Sequence, residues 1–278
     1  MKQIKRITHV ALMNLGYLII LLVFLTPIYW VFITSFKQPN NMFVYPPQWF
    51  VSNPTLAHYS KVLFETMMPI GFRNSLIISL STVIITGVLS ALAAYGFSRY
   101  YFKAKKPLML FLIITKMLPA SILIVPLYVM LNNLRLLDTF RGITAVYISI
   151  NIPFSVWILK SFYDSIPLEL DEAAHIDGCT TFSTFLRILT PLTIPGLVAI
   201  SVITFLSCWN EFILAMILTS NTRVQPMSIG LYTFMTEQGV KWGPITAATS
   251  IAILIPAVFF IVFQKQFISG MTSGSLKG

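Results

Sequence analysis

The sequence predicts an all-α integral membrane protein: six transmembrane helices with one large cytoplasmic loop between spans four and five. Three observations carry that prediction. Hydrophobic residues make up 56% of the 278 and charged residues only 10%, with a mean hydropathy of +0.80. A soluble domain has about a quarter charged residues, so a soluble chain of this length could not cover its surface. The apolar residues also fall into six separate runs, and Lys and Arg are spread unevenly over the connections between them.

The runs cover 10–35, 74–96, 107–131, 142–163, 196–219 and 245–268. Each is near the ~20 residues a helix needs to cross a bilayer. Each must be helical, because lipid offers no partner to an open backbone group. Lys2, Lys5 and Arg6 precede the first run as in a secretory signal. That run is longer than a signal core of roughly 7–15 residues, and no small-x-small cleavage pattern follows, so it reads as a retained span behind a short N-terminus, 1–9. With that terminus in the cytoplasm, 11 Lys and Arg lie inside and 7 outside, Arg99, Lys103, Lys105 and Lys106 giving most of the bias. The membrane domain is then 10–268. Both termini, the tail 269–278 and the loop 164–195 face the cytoplasm.

Outside, the segment 36–73 holds Pro39, Pro46, Pro47, Pro54 and Pro69 with Trp49 and Phe50. The prolines break regular helix and the aromatics suit the membrane interface, as in a small subdomain or lid. A second external loop, Ser220 to Pro244, carries Thr222-Arg223-Val224-Gln225-Pro226 and Trp242-Gly243-Pro244.

Several function classes lack support. The net charge of +10 sits beside apolar runs and reads as membrane orientation, and no aromatic-studded basic stretch suits nucleic acid. Cys179 and Cys208 lie in unlike surroundings and match no zinc spacing, so both read as small apolar residues. His9, His58 and His175 are scattered and make no metal set. No G-x-x-x-x-G-K-[ST] occurs, so the chain carries no phosphate cradle of that kind. No nucleophile–base constellation stands out, which leaves a membrane-embedded enzyme poorly supported.

The loop 164–195 holds five of the nine carboxylates: Asp164, Glu169, Asp171, Glu172 and Asp177. Local rules make it two short helices. Pro167 suits a helix start, and Glu169, Asp171 and Glu172 then lie at the positive end of the dipole. Gly178 can take positive φ and end that helix, and Thr180 or Thr181 can cap the next. There Phe182, Phe185, Leu186 and Leu189 share one helical face, and Pro191 and Pro195 close the helix. Two readings are open on these grounds: a solvated loop whose acids cap a helix, or a rigid corner that docks on a partner.

Resemblance favours the second. Glu172-Ala173-Ala174-x-x-Asp177-Gly178, followed by Phe185, Ile188 and Pro191, resembles the "EAA" loop of permeases in ABC importers. Asn74-Ser75, Pro119, Pro126-Leu127-Tyr128 and Trp209-Asn210-Glu211-Phe212 are similar to positions of the sugar permeases, and Ser269–Gly278 to the tail of the maltose-type shorter permease. Cys179 departs from the alanine common there. The resemblance implies a bacterial cytoplasmic-membrane permease for sugars or oligosaccharides, forming half of an alternating-access pathway. It implies that Glu172 pairs with a basic group of a cytoplasmic ATPase, that Ala173 and Ala174 allow close contact, that Gly178 supplies the turn, and that Asp177 belongs to the same ATPase-coupling set. It implies as partners a second, longer permease chain, two ATPase subunits and an external sugar-binding protein. The chain itself would bind no cofactor, ATP and Mg belonging to the ATPases.

Within the spans stand Lys116 and Glu211. A mid-bilayer charge costs ~2.5–3.5 kcal/mol on insertion scales, so each should face protein or water. Glu211 reads as a pathway or gate residue or as a structural hydrogen-bonding group, and Lys116 as snorkelling or locally paired. A self-contained proton-coupled transporter built on these two charges is the rival reading. Asn151 and Pro153 are expected to interrupt the fourth span, either unwound beside the pathway or as a packing kink. Tyr128, Asn132, Trp157 and Asn210 offer stacking and hydrogen bonds suited to sugars, and Trp209 stands with Glu211 as a candidate pathway or gate residue.

Overall fold

The computed structural model describes residues 2–236 and 239–273. Gly274 to Gly278, half of the tail singled out above, lie outside the described residues. In chain order the helices are α1 (Lys2–Ser35), α2 (Ala57–Phe64), α3 (Met68–Arg99), α4 (Lys105–Met117), α5 (Ala120–Asn133) and α6 (Phe140–Ser165). The loop follows with α7 (Glu169–Ile176), α8 (Thr181–Thr184), a π-helical turn (Phe185–Leu189) and α9 (Thr190–Leu192). Next come α10 (Ile194–Trp209), α11 (Ile213–Leu218), α12 (Met227–Tyr232), a two-stranded hairpin of β1 (Met235–Thr236) and β2 (Gly239–Val240), and α13 (Trp242–Ser273).

Among the described residues four helices are long and apolar enough to cross a membrane: Leu12–Ser35, Met68–Arg99, Phe140–Ser165 and Trp242–Ile268. Two bent pairs, Lys105–Met117 with Ser121–Asn133 (103°) and Thr181–Leu192 with Ile194–Trp209 (74°), raise this to six if each pair is one span. The polarity is inverted relative to a soluble protein. Ser79, Thr82, Thr86 and Ser90 of α3 are fully buried, while Ile84, Val88 and Leu92 of the same helix are exposed. Small hydroxyl residues let helices approach closely, and exposed aliphatic faces suit lipid.

Proline marks one of the breaks, but another falls where there is none, and some prolines lie inside helices. The run 107–131 is two helices: Leu118 is extended (ψ 125°) before Pro119, as the pre-proline clash favours. The run 196–219 is also divided, α10 ending at Trp209 and α11 starting at Ile213. Of the two alternatives at Asn151 and Pro153, the backbone is not unwound; α6 runs through both. Asn151 and Pro153 are buried among neighbouring helices, and the Asn151 side chain adds a bond to the Tyr147 carbonyl. Trp242-Gly243-Pro244, expected in a loop, starts α13.

The chain forms two compact units. The first comprises Met1–Pro69 and Leu231–Leu254. In it the proline-rich segment is held to the end of α1: Ser35 bonds Tyr59, His58 meets the Lys37 carbonyl, and the Lys37 ammonium lies 4.1 Å from the Trp30 ring centroid. Burial pushes the Lys37 pKa down. The second unit comprises Ile70–Gly230 and Ile255–Gly278. It has two cores, one around Ile78, Leu131, Tyr147, Cys208 and Leu214, the other around Tyr95, Leu159, Tyr163, Phe185 and Ile200. At Gly196 a Cβ would come 2.6 Å from the Phe162 ring, so only glycine lets α10 lie this close to α6.

Candidate functional site

The loop after α6 is built by local rules and held by a distant charge. α7 starts at Glu169, two residues past Pro167, with Glu169, Asp171 and Glu172 in its first turn. It ends in a Schellman motif: the Cys179 N–H donates to the Ala174 carbonyl at 2.9 Å and the Gly178 N–H to that of His175 at 3.1 Å. Gly178 has φ +82°, in the left-handed region. Thr180 caps α8, its side chain accepting from the Ser183 N–H. The expected apolar face then splits. Phe185 and Leu189 are buried, whereas Phe182 and Leu186 are exposed along an apolar groove against α3. The π turn over Phe185–Leu189 is wider than an α turn and rotates side chains off a 3.6-residue stripe.

What fixes the loop is Arg99, at the end of α3. Its Nε lies 3.0 Å from Asp171 of α7, the side chains being only 7% and 14% exposed. Its two terminal nitrogens donate to the carbonyls of Tyr163 and Ile166, where α6 ends. Asp164 accepts from Ser98 and Lys160 beside it. Tyr95, Tyr163 and Phe185 pack as an aromatic cluster, Tyr95 to Phe185 at 5.1 Å between centroids. In the sequence Arg99 is legible only as a marker of orientation and Asp171 only as one of three acids at the start of α7, so the sequence does not show their pairing. Of the expected contact residues, Glu172, Ala173, Asp177 and Gly178 are exposed, with Ile176 86% exposed beside them. Ala174 is buried within the chain, so its methyl is not free for outside contact.

The pathway candidates separate into two groups. Glu211 lies in the break between α10 and α11 and not within a helix. Its carboxylate accepts from the Tyr147 hydroxyl at 2.8 Å and from the N–H groups of Leu214 and Ala215 at 2.9 Å. It thereby satisfies the open start of α11, as an anion at a helix N-terminus does. Ser228 donates to its carbonyl. Asn151 donates to the Tyr147 carbonyl and approaches the Cys208 sulfur at 3.9 Å. Tyr147 thus joins Asn151 to Glu211, a link the sequence did not reveal. Trp209 is 2% exposed and stacks on Phe205. Asn210 is exposed and closes α10 through the Leu206 carbonyl, and Tyr128 is exposed on α5. Among the described residues the ion pairs are Arg99–Asp171 and Lys160–Asp164, so Lys116 and Glu211 do not pair.

Two further fastenings hold the segment before α12. Buried Asn74 donates to the carbonyls of Arg223 and Gln225, and Ser75 accepts from the Met227 N–H. Asp138 (φ +56°) accepts from the Ser220 N–H and hydroxyl and from the Asn221 N–H. Burial alone would raise its pKa, but the bonds from Ser220 and Asn221 outweigh it and hold the carboxyl below its usual range.

Residues 83–273 match a family model described as "binding-protein-dependent transport system inner membrane component". The chain belongs to that family. As a permease of ABC importers it is a transport component of the inner membrane and not an enzyme. It is 32% identical to the sulfoquinovosyl glycerol transport system permease protein SmoH of Agrobacterium fabrum, over 91% of this permease and 89% of the relative. It is 31% identical to the trehalose/maltose transport system permease protein MalG of Thermococcus litoralis, over 96% of each. It is 28% identical to the diacetylchitobiose uptake system permease protein DasC of Streptomyces coelicolor, over 91% of each. Its fold is similar to that of a chain in a bacterial ABC transporter involved in the import of the acidic polysaccharide alginate: TM-score 0.81, 20% identity, 94% of this permease and 97% of that chain covered. The proton-coupled reading finds no support, since its two charges do not meet and the family is that of ABC importers.

Proposed function

We propose that this permease carries a saccharide and is driven through its 164–195 loop. The observation that carries the proposal is the exposed corner of α7, with Glu172, Ala173 and Asp177 outward, on a base locked by the buried Arg99–Asp171 pair. A corner free on one side and rigid on the other can transmit a push. α7 is the coupling helix of this reading, seated in a cytoplasmic ATPase, and Glu172 meets a basic side chain there. Six spans form, counting each bent or divided pair as one, with both termini, 1–9 and 269–278, in the cytoplasm. Two ATPase subunits bind ATP and Mg, a second and longer permease completes the alternating-access pathway, and an external binding protein delivers the sugar. Cargo names among the relatives, sulfoquinovosyl glycerol, trehalose/maltose and diacetylchitobiose, support a sugar or glycoside. They include acidic and neutral ones, so kinship does not set its charge.

Glu172→Ala tests the reading. Losing one partner of a desolvated charge pair costs ~2–5 kcal/mol. The variant should insert normally, retain less ATPase on co-purification and import less sugar per ATP. Wild-type ATPase retention together with wild-type uptake would sink it.

A further inference from the structure

The first unit carries an apolar strip that the coupling mechanism does not use. Between Lys37 and Lys61 no Asp, Glu, Lys or Arg occurs. Within that stretch residues 42–56 form neither helix nor strand. Phe43, Tyr45 and Phe50 are 76%, 91% and 81% exposed there, and Trp49 is half-exposed.

Contacts at both ends set the level of this strip. The Tyr29 hydroxyl donates to the Trp49 carbonyl at 2.6 Å, and the Trp30 and Trp49 rings meet edge to face with centroids 5.2 Å apart. Tyr29 and Trp30 lie six and five residues before α1 ends at Ser35, so both stand roughly 8 Å inside the helix end. The chain therefore leaves α1 and folds back beside it. At the other end, the Phe43 ring lies 6.0 Å from that of Trp242, the first residue of the span Trp242–Ile268. The strip is tied to the terminal turns of two spans and is not raised above them.

Three properties decide which layer it occupies. An irregular backbone does not fit bare hydrocarbon, where its polar groups would find no partners. The Lys37 ammonium, 4.1 Å from the Trp30 ring centroid, also argues against hydrocarbon at this level, where a charge is costly. Open water would leave three large rings bare with no charge near them in sequence. The headgroup layer suits all three, since it accepts amphipathic rings together with polar residues such as Asn40, Asn41 and Gln48. The surface alongside already faces lipid: Leu18 to Leu25 of α1 are exposed throughout.

We propose that residues 43–50 are a membrane-interface anchor, seated among the lipid headgroups beside α1 and α13, with Phe43, Tyr45 and Phe50 turned toward the acyl chains. The orientation proposed above places it in the outer leaflet; the anchoring itself does not depend on that orientation.

The test uses the complete importer in phospholipid vesicles. Nitroxide labels are placed at Tyr45→Cys, Phe50→Cys and Lys61→Cys, each with Cys179→Ala, Cys208 being buried. The first two labels should collide more with oxygen than with a water-soluble nickel chelate, at a depth of roughly 5–10 Å into the headgroup–acyl boundary. Lys61, exposed on α2, is the aqueous reference, and its label should meet the chelate freely. Chelate access at 45 and 50 equal to that at 61 would put the strip in water and overturn the proposal. Immobilised labels reached by neither collider would overturn it too, showing that the second permease or another protein covers the strip. The Lys61 label reports orientation separately. A chelate confined to the side away from the ATPases should reach it; access from the ATPase side alone would refute the orientation, while the lipid depth at 45 and 50 would still support the anchor.

Discussion

Asp138 adopts a left-handed backbone conformation that Asp tolerates better than most residues, and its carboxylate draws three bonds from Ser220 and Asn221. Its pKa is lowered in the folded protein. Its stabilising contribution is therefore fully present above the unfolded value of about 3.9 and is lost as pH falls through the lower folded value. Asp138→Ala should lower stability by about 1 kcal/mol at neutral pH, the half-buried site trimming the usual hydrogen-bond range. Thermal unfolding in detergent should show that gap beginning to close below about pH 4, where the unfolded chain takes up the proton, and vanishing below the lower folded value; a gap independent of pH would refute the assignment. No pattern near Asp138 marks it, because its donors lie some eighty residues on. Glu211 was visible as a charge in an apolar run, but that its carboxylate closes a half-helix required knowing where α10 stops.

α7 shows which elements are readable from local chemistry. Its acidic first turn, Gly178 at φ +82° and the Thr180 cap all lie within a dozen residues, so each follows from short-range rules. Its anchor does not, since Arg99 and Asp171 are brought together only when α3 and α6 pack side by side. Arg99→Ala should cost about 3 kcal/mol, as breaking a buried pair does, because Asp171 is left uncompensated. Limited proteolysis should then cut near 176–180, and uptake should fall while Arg99→Lys retains part of both. Unchanged protease resistance in Arg99→Ala would show that α7 is held by packing instead. The proline breaks follow the same division. Pro119 ends a helix because the residue before it turns extended, whereas Pro153 is buried inside α6, which continues through it.

For the whole molecule, aliphatic faces turned outward over a hydroxyl-lined interior require an apolar surround, and the family is described as binding-protein-dependent. Reconstituted alone, the chain should move no saccharide across vesicles with or without ATP; uptake should begin only when the ATPases, the second permease and the binding protein are added. Solute flux through the isolated chain would contradict this. Composition and run length were enough to establish a helical membrane protein and local turn chemistry enough to outline α7, because hydropathy and turn chemistry act over a few residues; the family came from the likeness of Glu172–Gly178 and further positions to the permeases of ABC importers. Where the spans break, which acid anchors α7, that Ala174 faces inward and that Tyr147 links Asn151 to Glu211 were decided by the tertiary structure. Those outcomes depend on which helices become neighbours, and in a chain this uniformly apolar the periodicity of one segment carries little record of the face another will cover.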